Sequence, residues 1–410
     1  HTNKKKWTIP SKNTSMKIKE LIQFIQSANI NFMIGSGASR PYLATLGSIE
    51  NWLTCLAEDD KSSDRVYKIV KASIYRKFYV TVIAPNKIIS YSSEPLCIET
   101  KENYRSLLTA WNGILNKRRS KIQSKQVNLF TTNVDLMIEY ASSGLGIELN
   151  DGFKGSVDML YNESNFMRSI NQTSLHFQYV AEVPVFNLMK VHGSINWEQR
   201  DANSIRNNNV WYFDIEEALK KIPDDKFVEP TYVDSEGNKK DKSYDQLIAD
   251  AKEMKDIDES IYDEFINAYS KLVIVNPTKR KFEQTVVDFH FYELMRIYAN
   301  ALEKENALLF VTGFSFADEH IATITKRAAD NNPTLQIVIF AYNDVEEANY
   351  RKYLWIDSAC INNNIKIITP SSFRAANMED EYKRLMESIE VFDLKSVAGV
   401  FKYIESQIHE

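Results

Sequence analysis

The sequence predicts an α/β protein with a parallel sheet covered by helices on both faces, and three observations predict it. Apolar runs of strand length, rich in Val, Ile, Leu and Phe, recur along the chain: INFMIG (30–35), VNLFTT (127–132), FNLMKV (186–191), ALLFVTG (307–313), LQIVIFA (335–341) and IKIIT (365–369). Helical patterns separate them, notably over 280–304, 317–330 and 344–356, as in a sheet buried on both faces. The first run stops at Gly35-Ser36-Gly37, and a buried strand feeding a glycine turn is the usual opening of a nucleotide-binding βα unit.

Taken in order, residues 16–28 place Ile18, Leu21, Ile22 and Ile25 on one helical face. From about 48 to 124 the pattern is mostly helical, broken near Ala84-Pro85-Asn86 and Ser92-Ser93-Glu94-Pro95. GIELNDGF (146–153) and LVIV (272–275) read as further strands. The segment 198–271 is roughly two-fifths charged and carries turn signals at Ile222–Asp225 and Ser235–Asn238. It reads as a charged insertion between sheet strands: a lid, an arm, a partner surface or a solvated decoration. Helices over 376–390 and 394–408 read as a tail packed on the sheet or on another subunit. One body over 1–370, insertion included, followed by a helical tail over 371–410, is the expected organisation.

Composition excludes several classes. Fifty basic side chains stand against 55 acidic ones, a net charge of −5, which argues against coating nucleic acid by bulk electrostatics. Cys55, Cys97 and Cys360 are far apart, too few for a four-thiolate zinc module, and no metal site is expected. No apolar run approaches the ~20 residues of a membrane span, and HTNKKKWTIP lacks the apolar stretch of a signal peptide. A cytoplasmic location is the default expectation.

Ligands of an open parallel sheet bind beyond the carboxyl ends of its strands, and four polar islands fall there. Gly35-Ser36-Gly37-Ala38-Ser39-Arg40 offers a tight turn for a phosphate, or simply a strand–helix turn, since the third glycine of GxGxxG is missing. Thr131-Thr132-Asn133-Val134-Asp135 brings a carboxamide and a carboxylate out of a buried strand, suited to a ribose and a water, or to capping a helix. Val191-His192-Gly193-Ser194 puts an imidazole at a strand end, as a general base or a structural histidine. Gly313-Phe314-Ser315 offers a second phosphate contact and Asn343 reaches toward an adenosine; Asp318 and His320 read as residues of a first helical turn.

GSGAS, TTNVD, KVHGS, GFSF and AYN, in this order, resemble the sirtuin-like superfamily over roughly residues 20–350. The resemblance implies a Rossmann-like sheet of sirtuin type. It implies dinucleotide contacts at Gly35, Ser36, Gly37, Ala38, Ser39, Thr132, Gly313, Ser315 and Asn343, with Asn133, Asp135 and His192 as catalytic residues. Protein-deacylating sirtuins carry a four-cysteine zinc module that this chain cannot supply, and LATLGSIENW (43–52) replaces their GIPxFR-like segment. TTNVDLMIEY, KVHGSINW and GFSFADEHI are instead similar to sirtuin-like proteins of bacterial anti-phage defence, above all the subunit that pairs with a HerA-type hexameric ATPase. The activity this implies is NAD+ hydrolysis to nicotinamide and ADP-ribose, with NAD+ as substrate, no required cofactor, and a homo-oligomer that is weakly active alone. The competing class is an NAD- or ADP-ribose-binding module that recruits an ATPase without turnover. Deacylase and nuclease chemistry are disfavoured by the missing zinc ligands and the absence of clustered metal-binding carboxylates.

Overall fold

A computed structural model describes residues 15–44, 48–59, 64–118, 123–176, 179–201, 204–209, 213–254, 257–275, 289–359 and 361–408. The basic N-terminal stretch, Cys360 and the first part of the helix expected over 280–304 lie outside the described residues.

Seven strands form the expected parallel sheet: β1 (Asn29–Ile34), β2 (Gln126–Thr131), β3 (Glu148–Asn150), β4 (Val185–Lys190), β5 (Ala307–Thr312), β6 (Gln336–Phe340) and β7 (Ile365–Ile368). Their order is β7-β6-β5-β1-β2-β4-β3, every neighbouring pair parallel. The fold is thus α/β and Rossmann-like. Because β1 has β2 on one side and β5 on the other, the chain reverses its direction of travel across the sheet at β1, the position whose carboxyl edge such sheets use for ligands.

Register is held by asparagines inside an otherwise apolar sheet. Asn31, Asn128, Asn187 and Asn150 are cross-strand partners, and their carboxamides link in series: Asn128 donates to Asn31 at 2.9 Å, Asn187 to Asn128 at 3.1 Å, and Asn150 to Asn187 at 2.9 Å. A slip by one residue would bury these groups unpaired on the other face, so the ladder specifies the pairing that apolar side chains alone leave degenerate.

Helices cover both faces. On one lie α1 (Ile18–Ser27), α2 (Pro95–Asn116) and α3 (Leu394–Gln407), whose apolar stripes meet Phe32, Leu129, Leu188, Phe310 and Phe340. Phe401 of α3 sits 5.0 Å from Trp111 of α2 and 4.9 Å from Phe310, ring centre to ring centre. The terminal helix is therefore part of the main core. On the other face Phe289–Glu303 and Glu319–Asn331 pack on Met33, Phe130, Val191, Leu309, Val311 and Ile339.

Three expectations need correction. Leu272–Ile274 is not in the parallel sheet; it pairs antiparallel with Gly193–Asp201 in a second, five-stranded sheet. The charged insertion therefore begins within a strand, and it carries a packed apolar side as well as its charges. Its helices Phe213–Lys220, Tyr244–Glu253 and Asp263–Ser270 share a third apolar core with Ser48–Glu58 and Arg65–Phe78. There Tyr75 stacks on Tyr269 with ring centres 3.8 Å apart, while the many charges stay on the outer faces. The helix expected over 376–390 is broken into Pro370–Ala376, Asp380–Tyr382 and Lys383–Ser388. A capping box at Thr369 with Pro370 behind it starts the first piece early, so it ends at Ala376.

Candidate functional site

All four islands lie at the carboxyl edge, because every strand of the main sheet points the same way. The turn after β1 and the turn after β5 clasp each other through backbone. Gly35 N donates to Thr312 O at 3.1 Å, Gly37 N to Gly313 O at 2.9 Å, and Ala38 N to Gly35 O at 3.0 Å. A Cβ on Gly35 would lie 2.3 Å from Gly313 O, and one on Gly313, whose φ is +63°, would lie 2.3 Å from Ala38 N. The glycines are needed for this approach, and the amides of Gly35, Gly37 and Ala38 already face protein carbonyls. The turn runs into a short 3-10 segment, Ser36–Ser39, so the long helix that would aim its amides at a phosphate does not follow directly. Ser36 and the exposed Ser315 keep their hydroxyls at this edge.

The next island divides its residues by alternation. Val134 and Leu136 point into the third apolar core, with Ile195 beside them; Asn133 and Asp135 turn into a buried polar nest. Asn133 Nδ2 donates to Gly35 O at 3.1 Å and to Ser39 Oγ at 3.2 Å. Ser39 Oγ donates to Asp135 Oδ2 at 2.9 Å and lies 3.0 Å from the Tyr104 hydroxyl. Asp135 Oδ1 accepts from Met137 N at 3.0 Å, an i→i+2 bond just ahead of the helix Met137–Ser142, whose N-cap is Leu136. Asn133 Oδ1 is buried with no partner among the described residues. An orphaned acceptor in a satisfied network is costly unless something else meets it.

Beneath the nest, Lys190 is buried at the end of β4. Its ammonium meets Glu139 Oε1 at 2.7 Å and Ser194 Oγ at 3.0 Å, and also donates to the Asp135 carbonyl. Burial raises the Glu139 carboxyl above its ordinary range, and Lys190 opposes that rise. Burial, then the Asp135 charge, pushes the Tyr104 hydroxyl far up, so it stays a neutral donor.

His192 follows β4, next to β2. Val191 N donates to Thr131 O at 3.0 Å and Ile195 N to Val134 O at 3.1 Å. These two bonds bracket Asn133 and His192 and hold their turns side by side. Their side chains part company, however. The carboxamide turns toward Gly35 and Ser39, whereas the imidazole turns toward the helices on the opposite face, with Nε2 3.2 Å from Asp318 Oδ2. There it floors a cleft of about 580 Å³ lined also by Tyr292, Arg296, Asp318, His320 and Arg327.

Asp318 caps Glu319–Asn331, accepting from His320 N and Ile321 N, as expected of a first-turn residue. Its meeting with His192 was not expected; no local spacing links residues 126 positions apart. Asn343 caps the turn Asp344–Glu346 through its oxygen, leaving its amide to any adenosine contact. Thr132 is half-buried at the edge, its amide held by Ile34 O at 3.4 Å.

Among the described residues no group of His, Cys, Asp and Glu is arranged to hold a metal, and no helix is long and apolar enough to cross a membrane. No protein-family model matches the chain, and no curated protein matches it significantly.

Proposed function

We propose that this protein hydrolyses the nicotinamide–ribose bond of NAD+ with water, releasing nicotinamide, ADP-ribose and a proton, as a sirtuin-like effector of anti-phage defence. The observation that carries the reading is the buried, unmet Oδ1 of Asn133 beside the glycine turn, at the edge where His192 leaves the adjacent strand. Departure of a neutral pyridine needs no general acid, so the residues have to orient the ribose and direct one water at its anomeric carbon. Asn133 contributes the orphaned Oδ1 as an acceptor for that water or a ribose hydroxyl. His192, whose ring faces the Asp318 cleft on the other side of the strand ends, takes the proton from a ribose group or water that reaches that side, help typically worth ~10²–10⁴-fold. Asp135 retains lone pairs beyond its two bonds and meets the carboxamide. Ser36 and Ser315 present hydroxyls to the diphosphate edge, and Asn343 faces the adenosine.

The test is chromatography of NAD+ incubated with the purified chain and with Asn133→Ala and His192→Ala variants whose folding is checked by circular dichroism. Loss of turnover by ~10²-fold or more in each, with a smaller change in KM, is the expected result. Unimpaired consumption in both variants overturns it. NAD+ bound but left intact by the wild type would make the chain a dinucleotide sensor. The proposal extends to a homo-oligomer restrained until a HerA-type ATPase or another partner engages it, and a fast, monomeric enzyme in light scattering would remove that extension.

A further inference from the structure

We propose that Asp318 is the positioning residue for His192, fixing which imidazole nitrogen carries the proton; the catalytic consequence rests on the function proposed above. Both side chains are buried, with Nε2 of His192 3.2 Å from Oδ2 of Asp318. The carboxylate is itself anchored: its other oxygen accepts from His320 N at 3.1 Å and Ile321 N at 3.3 Å, at the start of a 13-residue helix. The imidazole is anchored from its backbone, because His192 O accepts from Val275 N at 2.9 Å and the chain turns sharply at Gly193, φ +76°.

A neutral imidazole carries one N–H. Facing an anchored carboxylate acceptor, that N–H lies on Nε2, so the basic lone pair lies on Nδ1. Once Nδ1 takes a proton, the same carboxylate stabilises the imidazolium. Among the described residues the other charged or titratable groups lining the cleft are His320, Arg296, Arg327, Glu303 and Tyr292. Arg296 is paired with Glu293 on its own helix, and Asp318 is an anion at hydrogen-bond distance from the ring. A histidine aligned and made more basic in this way is better suited to proton abstraction than one at a bare strand end.

The decisive variant is Asp318→Asn. Asparagine is as good a helix cap as aspartate, so the helix start survives while the negative charge is lost. The carboxamide then turns an NH2 toward Nε2, and the ring must present a lone pair there and move its proton to Nδ1. With selective ¹⁵N-histidine labelling of the full chain, and His192 assigned by its loss in His192→Gln, the wild type is expected to show the Nε2–H form. Asp318→Asn is expected to show the Nδ1–H form, with a titration midpoint lower by about one pH unit. Turnover falls by about 10²-fold with KM nearly unchanged, and the acid limb of the pH profile moves down with the midpoint. The melting temperature stays close to wild type. An unchanged tautomer and titration in Asp318→Asn overturn the proposal. Absence of NAD+ turnover in the wild type removes the function instead, and the spectra still decide the role of Asp318.

Discussion

The two faces of the carboxyl edge are built on opposite principles. On the side of α2, Ser39, Tyr104, Asn133, Asp135, Lys190 and Ser194 are all buried, and they satisfy one another almost completely. On the side of Phe289–Glu303, His192 and Asp318 floor an open cleft whose walls carry exposed polar groups. The first is a polar core in which each group depends on several others; the second is a surface on which His192 and Asp318 are buried while most of the residues around them are exposed or half-buried. Buried polar networks concentrate energy, because removing one member strands its partners away from water.

The contrast is sharpest at Lys190. Lys190→Met leaves Glu139 and the Asp135 carbonyl without their cation, and a loss of about 3–5 kcal/mol is expected in denaturant unfolding. Burial already holds the folded Glu139 carboxyl above its unfolded value. A group of this kind favours the folded state at low pH and loses that contribution as pH rises through its folded value. Without Lys190 the carboxyl rises further, so the deficit of Lys190→Met shrinks on acidification toward the ordinary carboxylate range. A pH-independent deficit would mean that Glu139 does not carry the charge that Lys190 balances.

Ser39→Ala is the next test. It removes the hydroxyl that joins Asn133, Asp135 and Tyr104, and about 1–3 kcal/mol should be lost; a neutral result would show that water takes its place. On the cleft side, Thr323→Val changes an exposed lining residue and should leave stability within about 0.5 kcal/mol. A cost as large as that of Ser39→Ala would erase the distinction between the two faces.

Much of this was legible in the residues themselves. Strand-length apolar runs separated by helical periods specify a parallel sheet, and such a sheet necessarily gathers its strand ends at one edge, so Gly35, Asn133, His192, Gly313 and Asn343 were visible as a set. Local chemistry also identified Asp318 as a helix-start residue. What the sequence could not disclose depends on distance in the chain. Leu272–Ile274 looks like any buried strand, and only its pairing with Gly193–Asp201 shows that it belongs to another sheet. The charges of 198–271 hide an apolar face that has meaning only against the helices of 48–83. Which way Asn133 and His192 turn, and that Asp318 meets the imidazole, follow from helices packed on opposite faces. Periodicity determines which residues leave the core together; side-chain direction beyond a strand end is set by neighbours that only the folded chain supplies.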